Sequence, residues 1–333
     1  MKNVLSGMRP TGKLHLGNLY GAVSNWIKLI GEGYDCYFFV ADLHALTTGF
    51  SKAEEIPEDT IEMVKDWLAF GLDPHRSTFF IQSEIPAHSE LTLLLSMITP
   101  LGWLLRNPTY KEQIENLKDS DLRTFGFLGY PVLMSSDILL YDAAFVPVGA
   151  DQLPHLEITR WIARRFNYIA GSKILKEPKP MLAPVSKILG TDGRKMSKSY
   201  NNAIYLSDSE AETEKKIRKS FTDTQRKRRS DPGRPEICPI FTLHRIFTEE
   251  TKTDEISIAC KKADIGCVEC KKILISNINE TLATYRKKRA EIKKSDILDI
   301  LQEGTRKAKL KANKTLNRVK TAIFGQDSPL KQD

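Results

Sequence analysis

Residues 10–18 read Pro10-Thr11-Gly12-Lys13-Leu14-His15-Leu16-Gly17-Asn18. The stretch lies between a short strand-like run, Asn3 to Ser6, and a helical run from about Gly17 to Ile30 that Gly31 and Gly33 close. The local pattern is therefore strand, glycine-rich turn, helix start. In an open α/β sheet, ligands bind at the carboxyl ends of strands, where such turns lie. Glycine lets a nucleotide approach the backbone closely, and a helix N-terminus attracts phosphate. His15 stands at that start and can donate a hydrogen bond to a phosphate oxygen.

Outward from this turn, strand and helix signals alternate. Cys36 to Ala41 reads as a buried strand, and Ser51-x-x-Glu54 as a capping box. Ile61, Val64, Trp67 and Leu68 follow at helical spacing, closed by Gly71. Ser77 to Ile81 and Ala144 to Val148 read as further strands, the second followed by a helix from about Gln152 to Phe166. This alternation predicts an α/β fold with a parallel sheet covered on both faces. After about Ser207 the pattern turns helical, over Ala211 to Phe221, Phe241 to Phe247, Lys271 to Lys294 and Asp296 to Ala322, with Ser230 to Pro235 as a loop. The expected domains are residues 1–206 and an all-helical 207–333, with no internal repeat.

Composition excludes several classes. With 41% hydrophobic and 28% charged residues, the chain is neither disordered nor fibrous. The longest apolar run, Cys36 to Ala41, falls far short of the roughly 20 residues that span a bilayer, and the first residues lack the apolar stretch of a signal peptide. A cytoplasmic protein is expected. The net charge of +8 is unevenly placed: residues 1–213 carry −4 and residues 214–333 carry +12. The densest segment, Arg286 to Lys320, has 13 basic and 4 acidic side chains, and Arg226-Lys227-Arg228-Arg229 forms a second cluster. Such a surplus over one domain favours a polyanionic partner such as nucleic acid.

Cysteine is uneven too. Cys36 is alone, whereas Cys238, Cys260, Cys267 and Cys270 follow a C-x21-C-x6-C-x2-C spacing. Clustered thiols in a reducing compartment more often bind metal than form disulfides. Four thiolates can hold tetrahedral Zn2+ or an iron–sulfur cluster, and the spacing leaves both open.

A second signal, Lys195-Met196-Ser197-Lys198-Ser199, follows the Gly190-Thr191-Asp192-Gly193 turn. Two lysines on a loop can neutralise the charge that grows on departing pyrophosphate. Together with His15-Leu16-Gly17-Asn18, it resembles the paired signatures of class I aminoacyl-tRNA synthetases. A third signal runs Tyr130-Pro131-Val132-Leu133-Met134-Ser135-Ser136-Asp137-Ile138-Leu139, then Val146-Pro147-Val148-Gly149-Ala150-Asp151-Gln152. It is similar to the specificity helix and following strand of the tryptophanyl-tRNA synthetases. The tyrosyl relatives share Asp at the position of Asp137 but usually carry Gln at that of Met134. An indole offers one N–H to a buried carboxylate and a large apolar body to Met134, Val146 and Val148. A tyrosine hydroxyl finds a poor partner in Met134.

The resemblance covers nearly the whole chain and implies a Rossmann-type catalytic domain followed by a helical anticodon-binding domain whose last helix packs back on the first. It implies that ATP and Mg2+ activate tryptophan to an adenylate, which passes the amino acid to the 2′-hydroxyl of the terminal adenosine of tRNA(Trp), in a homodimer. His15, Lys195 and Lys198 would then stabilise the transition state. The ATP-binding set would be Arg9, Pro10, Thr11, Gly17, Asn18, Lys111, Gly149, Ala150, Asp151, Ile188, Lys195, Met196, Ser197, Lys198 and Ser199. The tryptophan-binding set would be Leu5, His44, Tyr130, Met134, Asp137, Ile138, Val146, Val148 and Gln152. Leu5 replaces a common Phe, Arg9 a common Gln, and Asn18 a His. The cysteine spacing resembles a bacterial subgroup with a 4Fe-4S cluster in the helical domain, which places the cluster ahead of Zn2+ at Cys238, Cys260, Cys267 and Cys270. The rivals are a tyrosine-activating enzyme and a synthetase-like RNA-binding protein that no longer charges tRNA.

Overall fold

The apolar runs of the first half become five strands of one sheet in the computed structural model, which describes residues 2–108, 110–111, 114, 123–182 and 188–325. They are β1 (Asn3–Met8), β2 (Asp35–Val40), β3 (Ser77–Ile81), β4 (Phe145–Val148) and β5 (Lys179–Leu182), in the order β3-β2-β1-β4-β5. All neighbours are parallel, with Asn3 beside Asp35, Cys36 beside Ser77 and Phe145 beside Lys179. The chain winds outward from β1 to β3 and then crosses back to β4. The crevice where this direction switches lies at the carboxyl ends of β1 and β4, the usual binding place in such sheets.

Alternation along the strands sends side chains to two cores. Val4, Phe38, Val40 and Phe79 enter one, and Leu5, Phe39 and Phe80 enter the other. The helices are α1 (Leu16–Asn18), α2 (Ser24–Gly31), α3 (Asp42–Gly49), α4 (Ile56–Ala69), α5 (Ala87–Ser96), α6 (Leu101–Leu105), α7 (Phe125–Leu140) and α8 (Leu153–Ile169). The helical second part adds α9 (Glu210–Lys219), α10 (Pro239–Phe247), α11 (Glu250–Lys261), α12 (Cys267–Glu291) and α13 (Lys294–Phe324). The first core continues into this part through Ile217, Ile240, Leu243, Leu274 and Ile297.

Two local expectations are corrected. The helix after the glycine turn is interrupted by a π-helical turn, Leu19–Val23, between α1 and α2. Gly21 and Ala22, the small residues of that turn, line the cavity described below, so the widened backbone faces the site. Ser51 caps no helix. Phe50–Glu55 is a 3-10 segment, and Pro57, with no N–H to satisfy and a fixed φ, starts α4 a turn later.

The long α13 covers the edge strand β3. Gly304 approaches the Phe79 carbonyl so closely that any side chain there would overlap it, and the Ile81 N–H donates to Thr305 Oγ1 at 3.3 Å. Farther along, Arg318 pairs with Asp142 at 2.7 Å and Lys320 with Glu90 at 2.9 Å. α12 docks on α4 through a buried carboxylate: Asp66 accepts from the Tyr285 hydroxyl at 2.6 Å and from Arg289 Nε at 2.7 Å, and Arg289 also pairs with Glu62. Among the described residues no helix is long and apolar enough to cross a membrane.

Candidate active site

A cavity of about 430 Å³ opens at the switch point. β1 contributes Leu5, β4 contributes Val146 and Val148, and α7 contributes Tyr130, Met134, Asp137 and Ile138. His44 of α3, Arg9, Gly149 and Gln152 complete the side nearer the loops. α7 is placed by Thr124, whose Oγ1 accepts from the Phe127 N–H at 3.1 Å as an N-cap. From that start, Tyr130, Met134 and Asp137 fall at helical spacing on the cavity side.

Asp137 is 1% exposed and ends the apolar pocket. Its Oδ1 accepts from Gln82 Nε2 at 2.7 Å and meets His88 Nδ1 at 2.6 Å, while Oδ2 meets His44 Nε2 at 2.7 Å. Burial alone would push this carboxyl up, but the hydrogen bonds and charges of His44 and His88 outweigh it and bring it down to about 2. The site therefore holds a carboxylate, which only accepts. A carboxylate has about four acceptor directions, so one remains for a ligand N–H.

At the next turn of α7, the Tyr130 hydroxyl lies 2.6 Å from His155 Nε2, and Asn107 Nδ2 donates to His155 Nδ1 at 2.8 Å. Burial, then the charge of His44, lowers His155 to about 4. A neutral His155 that accepts at Nδ1 donates from Nε2, leaving Tyr130 its own proton and a lone pair for a ligand. Arg9 is exposed in the cavity and makes one long hydrogen bond, from Nη1 to Thr48 Oγ1 at 3.4 Å. Gln152 donates to Asp151 at 3.2 Å in the Ala150–Gln152 3-10 turn that follows β4.

The two distant signatures meet. Lys198 Nζ donates to the carbonyls of Thr11 and Gly12 at 2.9 and 2.8 Å. Gly12 has φ of +94°, which a side chain resists, and its N–H donates to Asp59 of α4. Burial lowers Lys198 to about 8 despite the nearby Asp59. His15 caps α1: its Nδ1 accepts from the Asn18 N–H at 3.3 Å while Asn18 Oδ1 accepts from the His15 N–H at 3.0 Å. Burial, then Lys198 and Lys195, lowers His15 to about 4. It is neutral near pH 7, with Nδ1 accepting and Nε2–H left as a donor. Gly17 lies against His15 and Met196, whose N–H donates to the Ile188 carbonyl at 2.8 Å. Ile188 is buried, which turns its side chain into the core.

Some expected residues stand apart. Pro10, Ala150 and Asp151 flank the cavity in sequence without lining it, and Lys111 is exposed and does not line it. The side chain of Ser199 lies outside the described residues. Four residues were missed. Gln82 and His88 hold Asp137 from beyond β3, where sequence offers no spacing rule. Asn202 braces the lysine loop, accepting from the Ser197 N–H at 2.8 Å and donating to Asp192 at 2.7 Å and to the Lys195 carbonyl at 3.1 Å. Asp59 sits on the outward face of a helix whose apolar side drew attention.

The four clustered cysteines sit where helix ends converge: Cys238 before α10, Cys260 in the last turn of α11, Cys267 and Cys270 in the first turn of α12. All four line one small cavity of about 20 Å³. Arg226 Nη1 points at Cys260 and Cys267 Sγ, at 3.8 and 3.9 Å, and its buried Nε has no hydrogen-bond partner among the described residues. Burial, followed by the other three sulfurs, pushes the Cys270 thiol up to about 12. The donor set fits a soft thiophilic centre whose charge would offset that repulsion. Among the described residues, however, no three His, Cys, Asp or Glu side chains form a ready site for one ion.

Comparison with known proteins gives a consistent result. The family model for class I tRNA synthetases (W and Y) matches residues 2–283. The tryptophan–tRNA ligase of Thermotoga maritima is 48% identical over 323 residues, spanning 96% of this chain and 98% of that protein. The enzyme of the same name from Aquifex aeolicus is 43% identical and spans 96% and 99%. A crystal structure of tryptophanyl-tRNA synthetase from Campylobacter jejuni, complexed with ADP and tryptophan, has a TM-score of 0.86 at 34% identity, over 96% of this chain and 99% of that one.

Proposed function

The chain belongs to the class I tRNA synthetases for tryptophan and tyrosine and is a tryptophan–tRNA ligase, and we propose that Asp137 reads the indole while the two signature loops hold ATP. The observation that carries the pocket assignment is one buried carboxylate at the end of an otherwise apolar cavity. Leu5, Met134, Ile138, Val146 and Val148 would pack the rings, with His44 beside Asp137. Tyr130 and Gln152 supply polar atoms for the ammonium group.

The tryptophan carboxylate attacks the α-phosphate of ATP, forming the adenylate and releasing pyrophosphate; no side-chain nucleophile is required, because positioning and charge stabilisation suffice. Mg2+ bound with ATP would offset phosphate charge there. Neutral His15 would donate from Nε2, and Lys198 would leave its two carbonyl partners for the phosphates, with Lys195 beside it. Arg9, Thr11, Gly17, Asn18 and the segment Gly149 to Gln152 would contact the rest of ATP. The 2′-hydroxyl of the terminal adenosine of tRNA(Trp) then attacks the carbonyl of the adenylate, taking the tryptophanyl group as an ester and releasing AMP. The basic 207–333 part would bind the anticodon, and its charge would steer the RNA.

Three finer points belong to the same reading. A 4Fe-4S cluster is proposed at the four cysteines, whose support is that all four line one small cavity and that each cluster corner needs only one sulfur. A homodimer is supported by the exposed apolar Leu93 on α5, Met97 at its C-cap, and Leu101 and Leu105 on α6, which follows in the chain. A cytoplasmic location fits reduced thiols. Asp137→Ala tests the pocket: a charged hydrogen bond of about 1.5–3 kcal/mol is lost, so tryptophan KM rises at least tenfold or exchange vanishes. Unchanged kinetics would refute the assignment. Lys195→Ala should slow adenylate formation more than it weakens tryptophan binding; the reverse places Lys195 outside the transition state.

A further inference from the structure

Behind the candidate indole-reading carboxylate lies a second layer of buried polar groups. His88, on the first turn of α5, is fully buried and bonded at both ring nitrogens: Nδ1 to Asp137 Oδ1 at 2.6 Å and Nε2 to the Tyr141 hydroxyl at 2.9 Å. Tyr141 is itself fully buried. Phe39 and Phe80 flank the imidazole, with ring centroids 6.3 and 6.2 Å away, so it has little room to turn. An ionised Asp137 can only accept, so Nδ1 of His88 carries the proton toward it. On its other side Nε2 meets the Tyr141 hydroxyl. Oδ1 is thereby occupied by His88 and by Gln82 Nε2. Oδ2 is left toward the cavity, shared with His44.

We propose that His88, anchored by Tyr141, is the positioning residue that turns the Asp137 carboxylate so that Oδ2 alone meets the ligand, and so determines how strongly the pocket prefers a ring bearing an N–H. The inference rests on the reading that Asp137 faces the indole. His88 touches no substrate and acts through Asp137. Without it, Oδ1 loses a charge-assisted partner, and the carboxylate can rotate or take up a proton, either of which weakens its acceptance of the indole N–H. Packing of the ring system against Met134, Val146 and Val148 is untouched, so a ring of the same shape without the N–H should not register the change.

The test compares tryptophan with benzothienylalanine, in which sulfur replaces the indole N–H, in ATP–pyrophosphate exchange by the full-length enzyme. His88→Leu should lower kcat/KM for tryptophan tenfold or more while leaving that for benzothienylalanine within about twofold. Tyr141→Phe, which deletes only a hydroxyl, should shift the ratio the same way by a smaller factor, and His88→Asn, which keeps an N–H near the Nδ1 position, should recover part of the loss. Equal losses for both substrates, or an unchanged ratio in both His88→Leu and Tyr141→Phe, would overturn the proposal. Asp137→Ala run beside them separates the two levels: if it collapses the ratio and the His88 and Tyr141 variants do not, the positioning role fails and the pocket assignment stands. If Asp137→Ala leaves the ratio intact, both fail.

Discussion

Lys198 gives the sharpest kinetic expectation. Its ammonium is half-buried against the carbonyls of Thr11 and Gly12, and burial holds its pKa near 8. A group with that pKa is about nine-tenths charged at pH 7 and about one-tenth charged at pH 9. If the charged form is needed to receive ATP phosphates, kcat/KM for ATP, which reports the free enzyme, should fall about tenfold across that interval. At saturating ATP the phosphates favour the ammonium, so the decline in kcat should move to higher pH. Tryptophan-dependent pyrophosphate exchange between pH 6 and 9.5 measures both limbs. Lys198→Arg supplies the control: a guanidinium stays charged throughout, so that variant should run slower but lose the decline. A wild-type profile flat through pH 9, or an equal decline in Lys198→Arg, would refute the role given to the Lys198 charge.

Other outcomes are equally concrete. Asp66→Ala strands the Tyr285 hydroxyl and Arg289 at the α4–α12 contact and should cost about 3–5 kcal/mol, against about 1 kcal/mol for Tyr285→Phe; denaturant midpoints measure both, and a loss in Asp66→Ala no larger than that of Tyr285→Phe contradicts the contact's importance. His15 and His155 are held neutral in the fold near pKa 4, below the free value, so the unfolded chain takes up protons first on acidification. Their contribution is complete above pH 6.5 and is lost as pH falls toward 4, at roughly 2 kcal/mol each by pH 5; a urea midpoint unchanged from pH 7 to 5 would count against it. Anaerobically purified protein should carry about four irons per chain with broad visible absorption, and Cys270→Ser should abolish them. A colourless protein with one Zn2+ would remove the cluster and keep the four-cysteine site.

The sheet was legible because buried parallel strands are short runs rich in apolar and aromatic residues, as in Cys36 to Ala41 and Ser77 to Ile81. β5 was not, since Lys179-Pro180-Met181-Leu182 at the sheet edge lacks that signature. α11 escaped for a related reason: Thr253 and Ile256 are its only buried residues, too few to make a stripe. At the site, Asp137, Met134 and Tyr130 were readable because they share one helix. Gln82, His88 and Tyr141 were not, because their partnership with Asp137 exists only once β3, α5 and α7 are packed together. The loop pair was legible as two motifs, but the contact between Lys198 and the Thr11–Gly12 backbone, 186 residues apart, is a product of folding.

Tryptophan-dependent ATP–pyrophosphate exchange, set against the same assay with tyrosine, goes most directly to the central claim that this pocket reads an indole N–H through Asp137. Tryptophan should support exchange and tyrosine should fall at least a hundredfold short in kcat/KM, since Met134 leaves a buried hydroxyl unpaired. Exchange supported by tyrosine and not by tryptophan would contradict the assignment of the pocket.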